Sequence, residues 1–177
     1  MATAARDLGF TIIELLIAVA IMVIIAAMAI PGLVRARTAS NEASAIGSLR
    51  AINSSQYSFT SSCGFGFYAP SLTVLATPPT VAPGSDGFIG RELATDPSTK
   101  SSYSIALTPG AVAAQSPPSC NGVGAGGLVW TYFAAATPLP GGGTRYFAIN
   151  QGGTLYQASA PIPVTQSGAP PGTTVVQ

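Results

Sequence analysis

The side chain in this sequence that most demands a chemical explanation is a carboxylate set in an apolar run. From Phe10 to Ile30 the chain reads FTIIELLIAVAIMVIIAAMAI, and Glu14 is the only charge in those 21 residues. A carboxylate in hydrocarbon costs about 2.5–3.5 kcal/mol on insertion scales, so an unpaired one needs a reason. One reason is local: Thr11 as N-cap with Glu14 three residues on has the spacing of a capping box, in which the acid reaches back to the helix start. The other is a positive partner at the same depth. No Lys or Arg in the run supplies it. A cut between Gly9 and Phe10 would, because the new ammonium of Phe10 would lie at the depth of a Glu14 carboxylate. A neighbouring copy could then provide the pairing charge.

Other reactive groups are few. Cys63 and Cys120 are an even pair in a polar, Gly/Pro-rich region, as expected for one disulfide in an oxidising compartment; two unrelated free thiols are the alternative. Asp86, Glu92 and Asp96 fall close together and are calcium candidates by ligand type, but three scattered acids are more often solvated. With no histidine, neither a Ser-His-Asp nor a Cys-His nucleophile can be assembled, and two cysteines leave no zinc site of the usual Cys/His kind. The chain reads as no enzyme, with no catalytic residue, cofactor or resident metal. Seven Lys and Arg against six acids give a net charge of +1, and charged residues are 7% of the chain. A nucleic-acid partner would need a basic surface, and none is available.

The element that must position Glu14 is a helix. At a rise of about 1.5 Å per residue, Phe10–Ile30 would be about 31 Å long, the thickness of a hydrocarbon core. A signal peptide would have a shorter apolar core and a small-residue cleavage site after it, and buried core helices rarely carry so long a run. The segment reads as a membrane span. Its flanks disagree with the cysteines about orientation. Arg35 and Arg37 follow the run while only Arg6, beside Asp7, precedes it, which taken alone would leave the C-terminal part in the cytoplasm.

Gly9-Phe10-Thr11-Ile12-Ile13-Glu14-Leu15-Leu16, the apolar run and Pro31 together resemble the N-terminus of type IV pilins and related pseudopilins. The resemblance implies that a prepilin peptidase cuts after Gly9 and methylates the new N-terminal Phe10. It makes Glu14 the assembly carboxylate and Pro31 the helix break, and it keeps the leader cytoplasmic with the head outside. Leaders of that family usually carry Lys or Arg directly before the scissile Gly; here Leu8 and Asp7 intervene before Arg6. Major pseudopilins bind calcium in head loops with oxygen ligands, but the spacing of Asp86, Glu92 and Asp96 matches no such loop. The segments Asn41–Tyr57, Thr99–Tyr103 and Thr144–Phe147 also look like a group of bacterial pilin-like proteins.

Beyond Pro31 the pattern turns amphipathic. Ala36, Ala39, Ala43, Ile46, Leu49, Ile52 and Phe59 recur at three- and four-residue steps with Gln56 on the same stripe, while Arg35, Arg37, Asn41, Glu42 and Arg50 fall mainly off it. From Ile46 onward the stripe is expected to pack on its own domain, and before that on other subunits. Residues 61–99 read as a long connection with a short helix near Arg91–Ala94, ended by Asp96-Pro97. Strands are expected at Ser102–Thr108, Leu128–Ala135, Arg145–Asn150 and Thr154–Gln157, the last two as a hairpin, with Trp130 and the sheet tyrosines in the core.

The expected fold is α+β and pilin-like: a long N-terminal helix, half membrane and half amphipathic, packed on a small antiparallel sheet. The expected divisions are a removed leader at 1–9, a long helix at 10–59 with its assembly segment at 10–30, a globular head at 60–157, and a Pro/Ser/Thr-rich tail at 158–177, extended or mobile. The function read here is a structural subunit of a type IV pilus, polymerised through helices 10–59. The alternatives are a major pseudopilin of a type II secretion system and a monomeric single-pass membrane-anchored binding protein. The implied partners are further copies of the chain, a prepilin peptidase, an inner-membrane assembly platform with its ATPase, and the lipid bilayer before assembly. The implied locations are the inner membrane for the precursor and the cell surface for the filament. In the assembled form alone, a non-helical stretch is expected between Val23 and Pro31.

Overall fold

A computed structural model describes residues 10–80 and 84–176, so the expected leader with its scissile Gly9 lies outside the described residues. The chain forms two compact units, one ending at Arg37 and one running from Thr38 to Gln177. One helix, α1, runs unbroken from Ile12 to Ser62. Pro31 lies inside it. A proline there has no N–H to give the carbonyl of Ala27, so the ladder loses a bond at that turn without ending.

In the first unit, Ile12, Ile13, Leu15, Leu16 and the other large apolar side chains through Val34 are exposed. By length and composition this stretch is able to cross a membrane. Apolar residues surround the helix on all sides, which suits lipid or helical neighbours and not a water-facing surface.

The second unit builds its core on the other half of α1. Glu42, Ala45, Leu49, Ile52, Gln56 and Phe59 are buried at alternating three- and four-residue steps. Ala36, Ala39 and Ala43 are exposed, as expected before Ile46, whereas Glu42, expected off the stripe, is buried, and the packing on the head begins before Ile46. The helix also ends at Ser62, past the expected Phe59. The hydroxyls of Thr60, Ser61 and Ser62 fold back to donate to the carbonyls of Tyr57 and Ser58, while the carbonyls of Phe59 and Thr60, which the last turn leaves open, accept from the N–H groups of Cys63 and Gly66. The turn that stops the helix puts Phe65 (φ 52) and Gly66 (φ 91) in left-handed backbone.

The connection after α1 is more ordered than expected. It contains α2 (Leu72–Ala76), whose Val74 N–H is capped by the Ser71 hydroxyl. A 3₁₀ turn covers Arg91–Leu93, where a short helix was expected. Six strands follow, β1 (Ser98–Lys100), β2 (Tyr103–Pro109), β3 (Tyr132–Pro138), β4 (Tyr146–Asn150), β5 (Leu155–Ala158) and β6 (Thr174–Val175). They pair antiparallel in sequence order. Tyr103, Ile105 and Leu107 alternate into the core on β2, opposite Ala134 and Ala136 of β3 and beside Phe147 and Ile149 of β4. Leu49, Ile52 and Phe59 of α1 belong to the same core, so the helix covers this sheet face.

Two expectations fail here. Trp130 is 58% exposed; it precedes β3 and stacks edge-on against Phe67 at 4.8 Å, at the rim of the core. The tail, expected to be extended or mobile, is fastened back onto the head. The second sheet face also carries buried Phe133, Ala148 and Tyr156, which need cover. Asn150, on that face, donates to the carbonyls of Thr165 and Gly168 and holds the tail across it. The chain end then pairs with β5 as the sixth strand.

Candidate functional site

The start of α1 shows how Glu14 is held. The Glu14 N–H donates to the Thr11 hydroxyl oxygen at 3.3 Å, so Thr11 caps the helix. The Thr11 hydroxyl in turn lies 3.5 Å from a carboxylate oxygen of Glu14. The cap therefore depends on the backbone of residue 14, and the carboxylate adds only a long, exposed contact. Among the described residues no cation pairs with Glu14; the ion pairs are Lys100–Glu92 and Arg145–Glu42. Among the described residues, Glu14 is thus a carboxylate in an apolar surround with a long hydroxyl contact and no cation beside it.

The structure joins Cys63 and Cys120, with Cα atoms 5.0 Å apart across a sequence separation of 57. The bridge ties the residue after α1 to the loop between β2 and β3. Cys63 is buried, and its carbonyl accepts from the Cys120 N–H at 3.4 Å. The three acids named from sequence do not converge. Asp96 accepts from the backbone N–H of Leu72 and of Leu107, one on each carboxylate oxygen, which fastens α2 to the sheet. Glu92 pairs with Lys100, and Asp86 is exposed. Among the described residues, no cluster of three ligating side chains suits a metal. A carboxylate whose two oxygens already hold backbone donors is a poor calcium ligand, so the candidate set does not fit that ion.

Comparison with known proteins bears on the N-terminal segment. The prokaryotic N-terminal methylation motif matches residues 5–30. The chain carries the type IV pilin and pseudopilin signature. No curated protein and no solved structure matches the chain. The matched residues include Gly9, Phe10 and Glu14, whereas Pro31, both cysteines and the sheet lie beyond them. The pilin-like α+β arrangement comes from the structure: one long N-terminal helix and a six-stranded antiparallel sheet.

In the head, the charged group that the sequence pattern misplaces is Glu42. One of its carboxylate oxygens accepts from the Thr144 N–H at 3.1 Å, and the other from Arg145 Nε and Nη2 at 2.9 and 2.6 Å. Burial pushes its pKa up, but the Arg145 and Thr144 hydrogen bonds and the guanidinium charge outweigh burial and hold it below the ordinary value. Arg145 also donates to Gln157 and lies over the Phe147 ring. Tyr103, its hydroxyl pKa raised to about 12 by burial and next by the Glu42 charge, stays protonated and donates to the Arg145 carbonyl. Gly143 permits this closeness, since a Cβ there would come within 2.1 Å of the Tyr103 hydroxyl and 3.0 Å of Glu42 Cγ.

Two further polar clamps hold α1 to the head. Asn53 donates to the Tyr132 hydroxyl at 2.7 Å, and burial raises that phenol to about 12 despite this bond. Gln56, fully buried, both donates to and accepts from the backbone of Ala69 at 2.9 Å. A sequence signal for Glu42 did exist: it extends the ladder of Ala45, Leu49, Ile52, Gln56 and Phe59 by one regular step. Its charge hid it, because its partner lies 103 residues away.

Proposed function

We propose that this chain is a structural subunit of a type IV pilus, cut after Gly9, N-methylated at Phe10 and polymerised through its N-terminal helix. The single observation that carries this reading is the methylation motif set on an apolar helix that nothing among the described residues covers. Processing leaves the ammonium of Phe10 one helical turn from Glu14, so the Glu14 carboxylate of one copy meets the Phe10 ammonium of another. Charge pairing in an apolar medium is strong and directional, and it sets the stagger of copies along the filament. The exposed small residues Ala36, Ala39 and Ala43 allow close approach of neighbouring helices.

The precursor waits in the inner membrane with its head outside, where an oxidising compartment supports the Cys63–Cys120 bridge. Its partners are a prepilin peptidase, a membrane assembly platform with its ATPase, and further copies of itself. Assembly draws apolar helices into a narrow core while heads pack outside. Unwinding between Val23 and Pro31 reconciles the two spacings, since the Ala27 carbonyl already lacks its donor and Val23, Ile24 and Ile25 are β-branched. Of the three acids, Asp96 is engaged by backbone and Glu92 by Lys100, so they lend no support to the calcium loop of a secretion pseudopilus. Vigorous shearing of cells tests the pilus reading. Long filaments composed of this chain are the expected product, and a chain that stays wholly cell-bound under shear argues for the short pseudopilus.

A further inference from the structure

The cationic end of the apolar helix is unused by assembly through Glu14. Arg35 and Arg37 follow directly on Val34, the last residue of the apolar stretch. Both side chains are exposed. Among the described residues neither is in an ion pair, and no acid lies between Glu14 and Glu42. Glu42 is itself committed to Arg145. The positive field at this point of the helix is therefore unopposed.

Distance along α1 says what meets it. From Phe10 to Arg35 the helix rises about 37 Å, a little more than a hydrocarbon core of about 30 Å. With Phe10 at the cytoplasmic edge, both guanidinium groups reach the phosphate layer of the opposite leaflet. Their stems are long enough to lie on the apolar surface while the charged ends stay among headgroups. At about 100° per residue, side chains two apart point about 200° apart, so the two arginines face opposite flanks and cannot share one phosphate. A guanidinium donates paired N–H groups to phosphate oxygens, and it gains most where no choline or ethanolamine cation competes.

We propose that Arg35 and Arg37 each bind the phosphate of an anionic phospholipid in the non-cytoplasmic leaflet, so that the membrane-held subunit carries one such lipid on each flank of α1. This rests on the membrane-anchored reading of the same helix. The two lipids fix the depth of the subunit until assembly withdraws it.

The test uses the full chain reconstituted in bilayer discs of equal phosphatidylglycerol and phosphatidylcholine, taken up in mild detergent, with retained lipid counted by mass spectrometry. The expected result is about two phosphatidylglycerols per chain, each arginine contributing about fivefold enrichment over phosphatidylcholine. Arg35→Gln or Arg37→Gln alone should leave about one, the double variant should show no preference, and the double Lys variant should keep part of it. Equal retention of the two lipids by the unaltered chain, or an undiminished preference in the double Gln variant, overturns the proposal. Alkaline carbonate extraction of cell membranes separates this from failure of the underlying reading. Release of the unaltered chain by carbonate refutes the membrane anchor and the lipid sites with it, whereas retention with no lipid preference refutes the lipid sites alone.

Discussion

The stretch of α1 up to Arg37 and the head from Thr38 onward follow opposite rules. In the first, every large apolar side chain from Phe10 to Val34 is between 49% and 83% exposed, and the one acid has no cation among the described residues. In the second, Phe59, Tyr103, Tyr132 and Phe147 are fully buried, the buried acid has four donors and the two cysteines are joined. The head satisfies its own needs. The apolar stretch satisfies almost none, and on the proposed function other molecules do so: lipid first, then copies of the same helix. On that reading stability is a property of the head, and assembly a property of the helix. Substitutions should sort accordingly.

The largest expected effect lies in the helix. Glu14→Ala should abolish incorporation into filaments while leaving membrane insertion, the disulfide and head melting unchanged. The structure sharpens this test, because the Thr11 cap uses the backbone N–H of residue 14 and survives the substitution. A capping role would therefore cost well under the roughly 1 kcal/mol of a lost N-cap and leave filament yield normal. Counting filaments released from cells that express only the variant decides between them.

Next comes the head. Cys63→Ser opens a loop with a sequence separation of 57. Chain-entropy arithmetic puts the loss at about 4 kcal/mol, seen as a lower melting temperature and lower yield, with the apolar helix still in the membrane. Thiol titration of the native, unreduced protein should find no free cysteine.

A smaller loss is expected at the helix–sheet latch. Arg145→Ala leaves Glu42 buried without its cation. Breaking a fully buried pair costs about 3–5 kcal/mol, but the Arg145 side chain is 48% exposed, so about 2 kcal/mol is expected in thermal or chemical melting. Arg145→Lys should recover only part of it, since one ammonium cannot reproduce both guanidinium N–H bonds to a single oxygen.

The mildest test is pH. The Glu42 carboxyl is held below its ordinary value of 4.5, so the unfolded chain binds its proton more readily than the folded one. Its stabilisation is therefore complete above that ordinary value and is lost as pH falls through the folded value. Melting of the unaltered head should drop across this acidic window, and Glu42→Gln should flatten the drop. An identical pH profile for the two proteins would remove Glu42 from the account.

What was legible in the sequence was local. The apolar run, the Gly9–Phe10–Glu14 spacing and the Tyr103, Ile105, Leu107 alternation depend on near neighbours, and β2 lies where that alternation placed it. What was hidden depends on distant partners. Glu42 reads as a surface charge until Arg145 and Thr144 are brought to it from the connection between β3 and β4. β6 is only two exposed residues, with no pattern of its own, and forms because β5 offers an open edge. Trp130 reads as core by type, yet one step past buried Val129 it reaches the rim beside Phe67. The α2 turn owes its place to Ser71 and to Asp96, an acid that ligand type alone offered to a metal.

The central claim is that this chain is processed at Gly9 and polymerises through the helix that begins at Phe10. Its most direct test is the intact mass and N-terminal sequence of the chain recovered from sheared surface filaments. The account predicts a subunit that starts with N-methyl-Phe10. Filaments whose subunits begin at Met1 or Ala2 would contradict it.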